Sequence, residues 1–242
     1  MIIGIIVALP EELVTLTSEK LAKGDYLKLN DQLLVAYSGA GAVNATNAAQ
    51  LLVEKGVTQL VSWGCAGALS EALKPGDLVF ADKLRDVNGS LVDGFYVSSS
   101  LHDVIKKCLP KNTSVYTGML IESRDIVSLS AIKKQLYAST GAIAVDMESV
   151  AIAKVAKQHQ LSFLALRVIV DPASMDLPQA INQSLNAEGV IEMPKLLSFI
   201  AKHPFEILGL FLLGRYFNAA KKTLRALATQ LDYVIAYDSD EV

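Results

Sequence analysis

The sequence predicts an α/β fold, a single domain in which helices flank a central mixed β-sheet. Short apolar runs rich in β-branched residues, typical of strands buried on both faces, alternate along the chain with segments of helical periodicity. Alternation at this spacing indicates one sheet that is covered on both faces. The length of 242 residues suits one large domain with a well-buried core, so we treat residues 1–242 as one domain.

The composition excludes several classes of partner. The formal net charge is -3, and no run of like charge marks a nucleic-acid-binding face. No segment reaches the roughly 18 apolar residues of a membrane span, and the N-terminus lacks the basic leader of a signal peptide. Cys65 and Cys108 show no metal-ligand spacing and are predicted to be free thiols, which favours the cytoplasm. We therefore expect no nucleic acid and no metal ion.

The N-terminal segment predicts a buried strand over residues 2–8 and a helix that opens at Pro10. Glu11 and Glu12 fall in the first turn of this helix, where carboxylates interact favourably with the positive end of the helix dipole. That interaction alone explains both residues. The alternative is that one of them faces a crevice at the end of the first strand.

Two glycine-rich segments follow predicted strands. SGAGAVNA leads into a helix over residues 43–55, and the strand over residues 59–63 leads into a small-residue loop over residues 64–69. Such segments let an anion, a ribose or another ligand approach the backbone, although a tight contact between helix and sheet explains the second one equally well. Asn44 occupies the third glycine position of the dinucleotide fingerprint, which disfavours a nicotinamide cofactor.

The remaining segments complete the predicted sheet. Residues 26–37 predict a hairpin, residues 78–82 and 115–121 predict strands, and residues 102–110 predict a helix. A polar loop follows the strand over residues 115–121. These elements extend the alternation of strands and helices toward the C-terminal half.

The segment from Val145 to Ser174 carries two carboxylates at the ends of elements that are otherwise apolar. Glu148 precedes a predicted helix, and Asp171 follows a buried strand predicted over residues 163–170. A carboxylate at the carboxyl end of such a strand points into the crevice where open α/β sheets bind ligands. We therefore predict that both carboxylates face one crevice.

The C-terminal residues, about 175–234, predict an extended apolar helical part. Its helix over residues 205–231 has a broad apolar face, and Arg215, Lys221, Lys222 and Arg225 give it a basic edge. Three interpretations stay open: a closing helix packed on the sheet, a subunit interface, or a surface that contacts a membrane or an apolar ligand.

Several segments together resemble the nucleoside phosphorylase and nucleosidase superfamily. IIGIIVALPEEL resembles its opening strand and acidic helix start, SGAGAVNA its first glycine loop, SWGCAGAL with KPGDLV its ribose-side loop and following strand, and VDMES with RVIVDPA its ribose-binding and base-protonating pair. Over residues 2–174 the pattern is most similar to methylthioadenosine/adenosylhomocysteine nucleosidases. The C-terminal part, from DPASMDLP onward, resembles the hopanoid-associated branch, whose substrate is adenosylhopane.

The resemblance implies a purine nucleoside N-ribosyl hydrolase that releases adenine from a 5′-substituted adenosine, with adenosylhopane as one candidate. Cleavage of the ribosidic bond develops positive charge on the sugar and negative charge on the base. The resemblance implies that Asp171 protonates N7 of adenine. It further implies that Glu12 orients or deprotonates the attacking water, that Glu148 binds the ribose hydroxyls and that Met147 lies against the sugar.

The resemblance also implies the remaining substrate-binding residues and the assembly. Cys65, Ala66 and Gly67 would line the ribose side, and Ile126 and Val127 would lie beside the base. The expected partners are a small-molecule nucleoside, which the hopanoid branch would link to a lipid, and a second subunit in a homodimer. We expect no cofactor.

One departure from the family pattern concerns the acceptor. Superfamily members that use phosphate carry arginines in the early glycine loop and on the strand before the ribose-side loop. Here the latter position is Ser62, and no arginine precedes Arg85. This favours water as the acceptor, while Arg85 and Arg124 keep a phosphorylase open as the alternative.

A second departure concerns the proposed acid. Cys65 stands where the nucleosidases usually have serine, and Val170 and Pro172 flank Asp171 without offering a hydroxyl or an amide donor. The sequence thus predicts few local hydrogen-bond partners for this carboxyl. A catalytically weak nucleoside-binding module is the alternative from a different functional class.

Overall fold

One mixed β-sheet carries the helices in a computed structural model that describes residues 1–86, 89, 91–92, 105–107, 109–184 and 192–231. The strands are β1 (Ile3–Val7), β2 (Tyr26–Asn30), β3 (Leu33–Tyr37), β4 (Gln59–Ala68), β5 (Leu78–Arg85), β6 (Leu91–Val92), β7 (Val115–Glu122), β8 (Ala144–Asp146) and β9 (Ser162–Asp171). The helices are α1 (Pro10–Leu13), α2 (Ala42–Glu54), α3 (Ser130–Thr140), α4 (Ser149–Gln158), α5 (Gln179–Ser184), α6 (Met193–Lys202) and α7 (Glu206–Ala228).

The sheet joins a parallel region to a closed circuit of strands. β1 pairs in parallel with β3 and with β4, and β4 pairs in parallel with β9. β8, β7 and β5 link the end of β4 back to β9, so that these five strands form a ring. The predicted mixed sheet flanked by helices is confirmed. Because β1, β3, β4 and β9 run in the same direction, their carboxyl ends meet at one edge.

The glycine-rich segment over residues 64–69 was predicted to be a loop, and this prediction is wrong. The segment continues β4 as far as Ala68. Its residues pair in parallel with β9 and, at Gly67 and Ala68, antiparallel with β8, with a register shift between Ala66 and Gly67. Pairing on both edges overrides the weak strand propensity of glycine, and the local sequence does not encode such pairing.

The other predicted elements match the structure with small changes at their ends. The hairpin over residues 26–37 and the helix at Pro10 are confirmed, whereas α3, β6 and β8 were not predicted. The helix predicted over residues 102–110 is helical at 105–107, and residues 102–104 and Cys108 lie outside the described residues. The extent of the single domain stays a prediction.

Two apolar clusters pack on the two faces of the sheet. Ile6 points to the cluster that α2 and α4 cover, and Ile5 points to the cluster that α7 covers, as the alternation of side chains along a strand requires. Trp63 lies in the second cluster and is fully buried. Its indole N–H donates to the Thr15 hydroxyl at 3.1 Å, so this large side chain has its polar atom paired.

The long helix α7 has a buried half and an exposed half. Its C-terminal half buries Thr223 and Leu224 against the sheet, as the closing-helix interpretation predicts. Its N-terminal half leaves Leu208 75% exposed and Phe211 68% exposed. Within the described part of the chain, no helix is both long enough and apolar enough to cross a bilayer.

Replacing Thr223 by valine is expected to lower the free energy of unfolding by about 1–2 kcal/mol. The wild-type hydroxyl donates to the buried Gly76 carbonyl at 2.8 Å, and valine leaves that oxygen unpaired. Urea unfolding followed by circular dichroism measures the change. Thr229→Val is the matched control, since its hydroxyl donates to Ala226 at an exposed position, and its effect should stay below about 0.5 kcal/mol. An equal decrease in the free energy of unfolding for Thr223→Val and Thr229→Val would contradict a role for the buried hydrogen bond.

Candidate active site

A crevice of about 1180 Å³ opens at the edge where the carboxyl ends of β1, β4 and β9 meet. Polar side chains line its inner end, and apolar side chains from the C-terminal helices line its outer end. Every residue predicted for the site lies in its lining: Glu12, Cys65, Ala66, Gly67, Ile126, Val127, Met147, Glu148 and Asp171. The structure therefore brings together segments that lie far apart in the sequence.

Glu12 reaches the crevice from α1, directly after the first strand. Its Oε2 accepts the backbone N–H groups of Ala8 at 2.9 Å and Leu9 at 3.0 Å, and its Oε1 accepts that of Cys65 at 2.8 Å. Burial raises the pKa of this carboxyl, and the Arg167 guanidinium is the largest opposing influence. Both glutamates lie in the crevice lining, but Glu12 is buried there, whereas Glu11 is exposed.

Gly64 allows Glu12 and Arg167 to meet against strand β4. A Cβ atom at this position would lie 2.3 Å from Glu12 Oε1 and 2.6 Å from Arg167 Nη1. Both side chains are almost fully buried and have little room to move away. The absence of a side chain at Gly64 is thus a steric requirement of the site.

Arg167 is a central residue of the site that the sequence interpretation missed. It lies inside β9 and is 1% exposed. Its Nε lies 2.7 Å from Asp146 Oδ2, and its Nη2 lies 3.5 Å from Glu148 Oε2 and donates to the Ser62 hydroxyl at 2.7 Å. Ser62, which stands where a phosphate-binding arginine would occur, therefore contacts an arginine from the neighbouring strand.

The carboxylates around Arg167 keep its guanidinium group protonated. Burial by itself lowers the pKa of the guanidinium, but Asp146, Glu148 and Glu12 together raise it overall. The sequence does contain a signal for this residue. A single arginine inside the apolar run FLALRVIV must find partners when it is buried, because an unpaired buried charge is very unfavourable.

Glu148 lies between the first glycine segment and Arg167, immediately before α4. Its Oε1 accepts the backbone N–H of Gly41 at 2.9 Å. Burial raises the pKa of the Glu148 carboxyl to about 7, Arg167 opposes this increase and Asp146 adds to it. A carboxyl with this pKa exchanges protons near neutral pH.

Asp171 is the last residue of β9 and faces Gly67 of β4. A Cβ atom on Gly67 would lie 3.2 Å from Asp171 Oδ2, so the two strands approach closely at this point. Burial raises the pKa of the Asp171 carboxyl, and Lys133 opposes that rise. Few partners were predicted from the neighbours in sequence, and the structure supplies one from α3. Lys133, which is fully buried, donates to Asp171 Oδ2 at 2.5 Å.

The sequence around Lys133 gives no indication of this contact. The residue lies in a short amphipathic helix beside a second lysine, Lys134, which is exposed. Only the contacts of the Lys133 ammonium group with Asp171 and with the carbonyls of Pro172 and Met175 distinguish the two. Lys133 is thus a site residue that the tertiary structure alone reveals.

Cys65 places a free thiol at the floor of the crevice. Burial raises its pKa well above the usual range, and the charge of Glu12 raises it further. A thiol with such a pKa stays protonated near neutral pH and is a weak nucleophile. Among the described residues, no group of three or more His, Cys, Asp or Glu side chains is arranged to hold a metal ion.

The outer end of the crevice is mostly apolar. Helices α5, α6 and α7 supply Ile181, Met193, Leu196, Leu210, Leu213 and Phe217, and α7 adds the polar residues Asn218 and Lys221. On α7 these residues follow the spacing of one helix face, whereas Leu208, Phe211 and Leu212 follow a neighbouring face that is exposed. One helix therefore contributes both to the crevice wall and to the molecular surface.

Comparisons with known proteins identify the family to which the chain is similar. The model of the Phosphorylase superfamily matches residues 2–190. The 5′-methylthioadenosine/S-adenosylhomocysteine nucleosidase of Thermotoga maritima is 27% identical over 199 residues, which cover 77% of this chain and 91% of that protein. The nucleosidase of the same name from Staphylococcus aureus is 28% identical over 199 residues, which cover 71% of this chain and 87% of the relative.

Solved structures share the fold along nearly the whole chain. The Helicobacter pylori 5′-methylthioadenosine/S-adenosylhomocysteine nucleosidase with butyl-thio-DADMe-Immucillin-A has a TM-score of 0.67 and 20% identity, and covers 96% of this chain and 97% of its own. Futalosine hydrolase from Helicobacter pylori has a TM-score of 0.67 and 19% identity, and covers 97% of both chains. At these identities the similarity establishes the fold. Because the family model covers most of its length, this chain belongs to the Phosphorylase superfamily.

Proposed function

We propose that the chain is a nucleosidase that hydrolyses the N-glycosidic bond of an adenosine derivative and releases adenine. The observation that carries the proposal is the convergence of three buried carboxyls, Glu12, Glu148 and Asp171, on one crevice. Cleavage of this bond requires a proton for the departing base and negative charge near the developing cation on the sugar. The names of the curated relatives support the same reaction.

Asp171 is the proposed acid. Burial raises the pKa of its carboxyl, which increases the protonated fraction available to donate to N7 of adenine. Ile126 and Val127 line the same crevice and are the proposed apolar contacts of the base. The proton leaves the carboxyl oxygen as the electrons of the glycosidic bond pass to the base.

Glu12 and Glu148 are the proposed partners of the water and of the sugar. Three backbone N–H groups fix the Glu12 carboxylate, so it can orient a water molecule and accept its proton without rearranging. Glu148 is held by Gly41 and Arg167 and would accept the ribose hydroxyls. Met147 would lie against the sugar, with Cys65, Ala66 and Gly67 forming the floor.

Water is the proposed acceptor because the buried cation of the site already has its partners. Arg167 is surrounded by Asp146, Glu148 and Glu12. A phosphate dianion would enter a cluster in which carboxylates outnumber the guanidinium, and like charges at this distance repel. Arg124 lies in the crevice lining and is the observation that favours the phosphorylase alternative.

The outer crevice supports a long apolar group on the 5′ side of the substrate, as in adenosylhopane. The volume of about 1180 Å³ exceeds the upper end of ordinary small-ligand pockets, about 1000 Å³. The outer wall includes Leu196, Leu210, Leu213 and Phe217, whose side chains carry no polar group, next to Asn218 and Lys221 of the same crevice lining. An alkyl or polycyclic substituent would bury against this wall.

We also propose that the exposed face of α7 contacts a lipid surface from which such a substrate would enter. Phe205, Leu208 and Phe211 are 89%, 75% and 68% exposed, and Lys202 and Arg215 lie beside them in sequence. An exposed apolar face with flanking cations suits the interface of an anionic bilayer. This face adjoins the apolar wall of the crevice on the same helix.

The homodimer and the cytoplasmic location stay predictions. Leu129 and Ile132, at the start of α3, are 49% and 44% exposed. A second copy of the chain could cover such side chains beside the crevice. The mass in solution, measured by light scattering, would decide between monomer and dimer.

Replacing Asp171 by asparagine is expected to lower kcat/KM for adenine release by about 10²–10⁴, because the amide cannot supply the proton. Free adenine is measured from adenosine, methylthioadenosine and a 5′-alkylthioadenosine, with and without phosphate. The wild type should release adenine without phosphate. Asp31→Asn makes the same chemical change at an exposed turn and should keep the full rate.

The other outcomes of this assay separate the alternatives. Release that requires phosphate would favour the phosphorylase. Binding of the nucleosides without release from any of them would favour the binding module and overturn the proposal. Full activity of Asp171→Asn would remove Asp171 from the role of acid.

Replacing Leu210 by aspartate is expected to lower kcat/KM for 5′-octylthioadenosine at least about tenfold, because the alkyl chain would meet a carboxylate. The same constant for adenosine should change less than about twofold, since adenosine does not reach the outer wall. Leu208→Asp is the control, because Leu208 lies two residues from Leu210 on the exposed face of α7 and is 75% exposed. A loss of equal size for both substrates would contradict an apolar subsite.

Cosedimentation with vesicles tests the lipid surface. The wild type should bind vesicles that contain phosphatidylserine, and the double variant Leu208→Asp/Phe211→Asp should bind at least about tenfold more weakly after loss of two buried apolar groups. Val43→Asp alters an apolar residue on α2 that is equally exposed and should bind normally. Charge reversal at Lys221, Lys222 and Arg225 should also weaken vesicle binding if the basic edge contributes. Unchanged binding of that variant would exclude a contribution from these three cations. Failure of the wild type to bind would remove the membrane contact.

A further inference from the structure

Lys133 is a charged side chain without solvent exposure at the edge of the proposed site. It lies in the first turn of α3, is 0% exposed, and directs its ammonium group at the end of β9. Its Nζ donates to Asp171 Oδ2 at 2.5 Å, to the Pro172 carbonyl at 3.1 Å and to the Met175 carbonyl at 2.8 Å. An ammonium group has three donors, so these contacts use its whole capacity.

The contacts fix both the orientation and the surroundings of Asp171. One carboxyl oxygen is bound to the lysine, so Oδ1 remains to carry a proton toward a ligand. The carbonyls of Pro172 and Met175 belong to the segment that follows β9, and the same ammonium group ties that segment to the strand end. Lys133 thereby provides the support that Val170 and Pro172 do not give.

The charged groups that face this pair are few among the described residues. Cys65 on β4 is the titratable group whose pKa is influenced by Asp171, and its buried thiol is neutral. Asp176, in the segment after β9, is exposed, and hydrogen bonds from Ser130 lower the pKa of that carboxyl, with a smaller contribution from Lys133. Arg124 and Asp125 line the crevice after β7. The cation in direct contact with Asp171 is Lys133.

We infer that Lys133 is a positioning residue that holds Asp171 by one oxygen and stabilises the carboxylate left behind when the proton has moved to the base. The inference rests on the proposed function. In the reaction the O–H bond of Asp171 breaks, an N–H bond forms at N7 and the glycosidic electrons pass to adenine. Water adds its hydroxyl to the anomeric carbon and gives a proton to Glu12. Before the next turnover Glu12 releases that proton to solvent and Asp171 regains one from solvent.

The effect of Lys133 on rate has a definite sign. Burial raises the pKa of Asp171, and the ammonium group opposes that rise. The lysine thus reduces the protonated fraction at high pH but makes the protonated carboxyl a stronger acid. Without the charge, the pKa should rise further. The alkaline limb of the pH–rate profile should then move to higher pH, while the plateau should fall because the carboxylate formed is less stable.

Lys133→Met tests the inference, since methionine keeps an unbranched side chain as far as Cε and removes the charged Nζ. The plateau of kcat/KM should fall about 10–100-fold, mainly through kcat, and the alkaline limb should move upward. Lys134→Met removes the same charge from the adjacent, exposed position and should leave the plateau of kcat/KM and the alkaline limb unchanged. In the Asp171→Asn background, Lys133→Met should cause no further loss of rate, because the acid on which it acts is absent. The inference would be overturned if Lys133→Met kept the plateau and the alkaline limb of the wild type. It would also be overturned if the rate losses of Lys133→Met and Asp171→Asn were additive in the double variant.

Two further measurements keep the test decisive. Lys133→Gln retains donors for the two carbonyls without the charge, and it replaces Lys133→Met if that variant does not fold by circular dichroism. The pKa of Asp171 is also measured by carbon NMR of the carboxyl groups, with Asp171→Asn giving the assignment. It should be higher in the variant than in the wild type, and an unchanged value would refute the inference. Because this titration needs no turnover, it tests Lys133 even if the wild type releases no adenine, a result that would refute only the proposed function.

Discussion

The buried guanidinium of Arg167 is the interaction on which the polar centre of this protein depends. It joins β9 to Asp146 at the end of β8 and to Glu148 before α4, and it interacts electrostatically with Glu12 on α1. Separately, each carboxylate would be costly to bury, and together they would repel one another. The arginine makes the assembly tolerable, and removal of one member of such a buried group generally costs about 3–5 kcal/mol. The site and the stability of the sheet edge are therefore linked.

The charges divide into two groups with different consequences. Around Arg167 the carboxylates exceed the cation, which suits a site that receives a neutral nucleoside and a developing positive charge on its sugar. At Asp171 one carboxyl meets one ammonium group from Lys133, so its acidity is set by a single contact balanced against burial. Farther out, α6 and α7 continue the crevice with apolar side chains. The gradient from charged to apolar follows the proposed axis of the substrate, from sugar and base to the 5′ group.

Much of this arrangement could be predicted from short segments. Glu12, Glu148 and Asp171 end or begin apolar elements, and parallel strands bring such ends together. The extension of β4 through its glycines could not be predicted, because it depends on pairing with β8 and β9. Arg167 could have been recognised as a lone charge in an apolar run. Lys133 could not, because Lys134 beside it has the same chemistry and points to solvent.

The sequence by itself determined the mixed α/β class, the family, and the carboxylates at the strand and helix ends. These properties reside in periodicity and in ordered local motifs, which a linear sequence carries directly. Only the tertiary structure decided which cations neutralise those carboxylates, how far β4 extends, and that one face of α7 lines the crevice while its neighbour is exposed. The physical reason is that burial and pairing are relations between distant segments. A lysine or a glycine acquires its role from what packs against it.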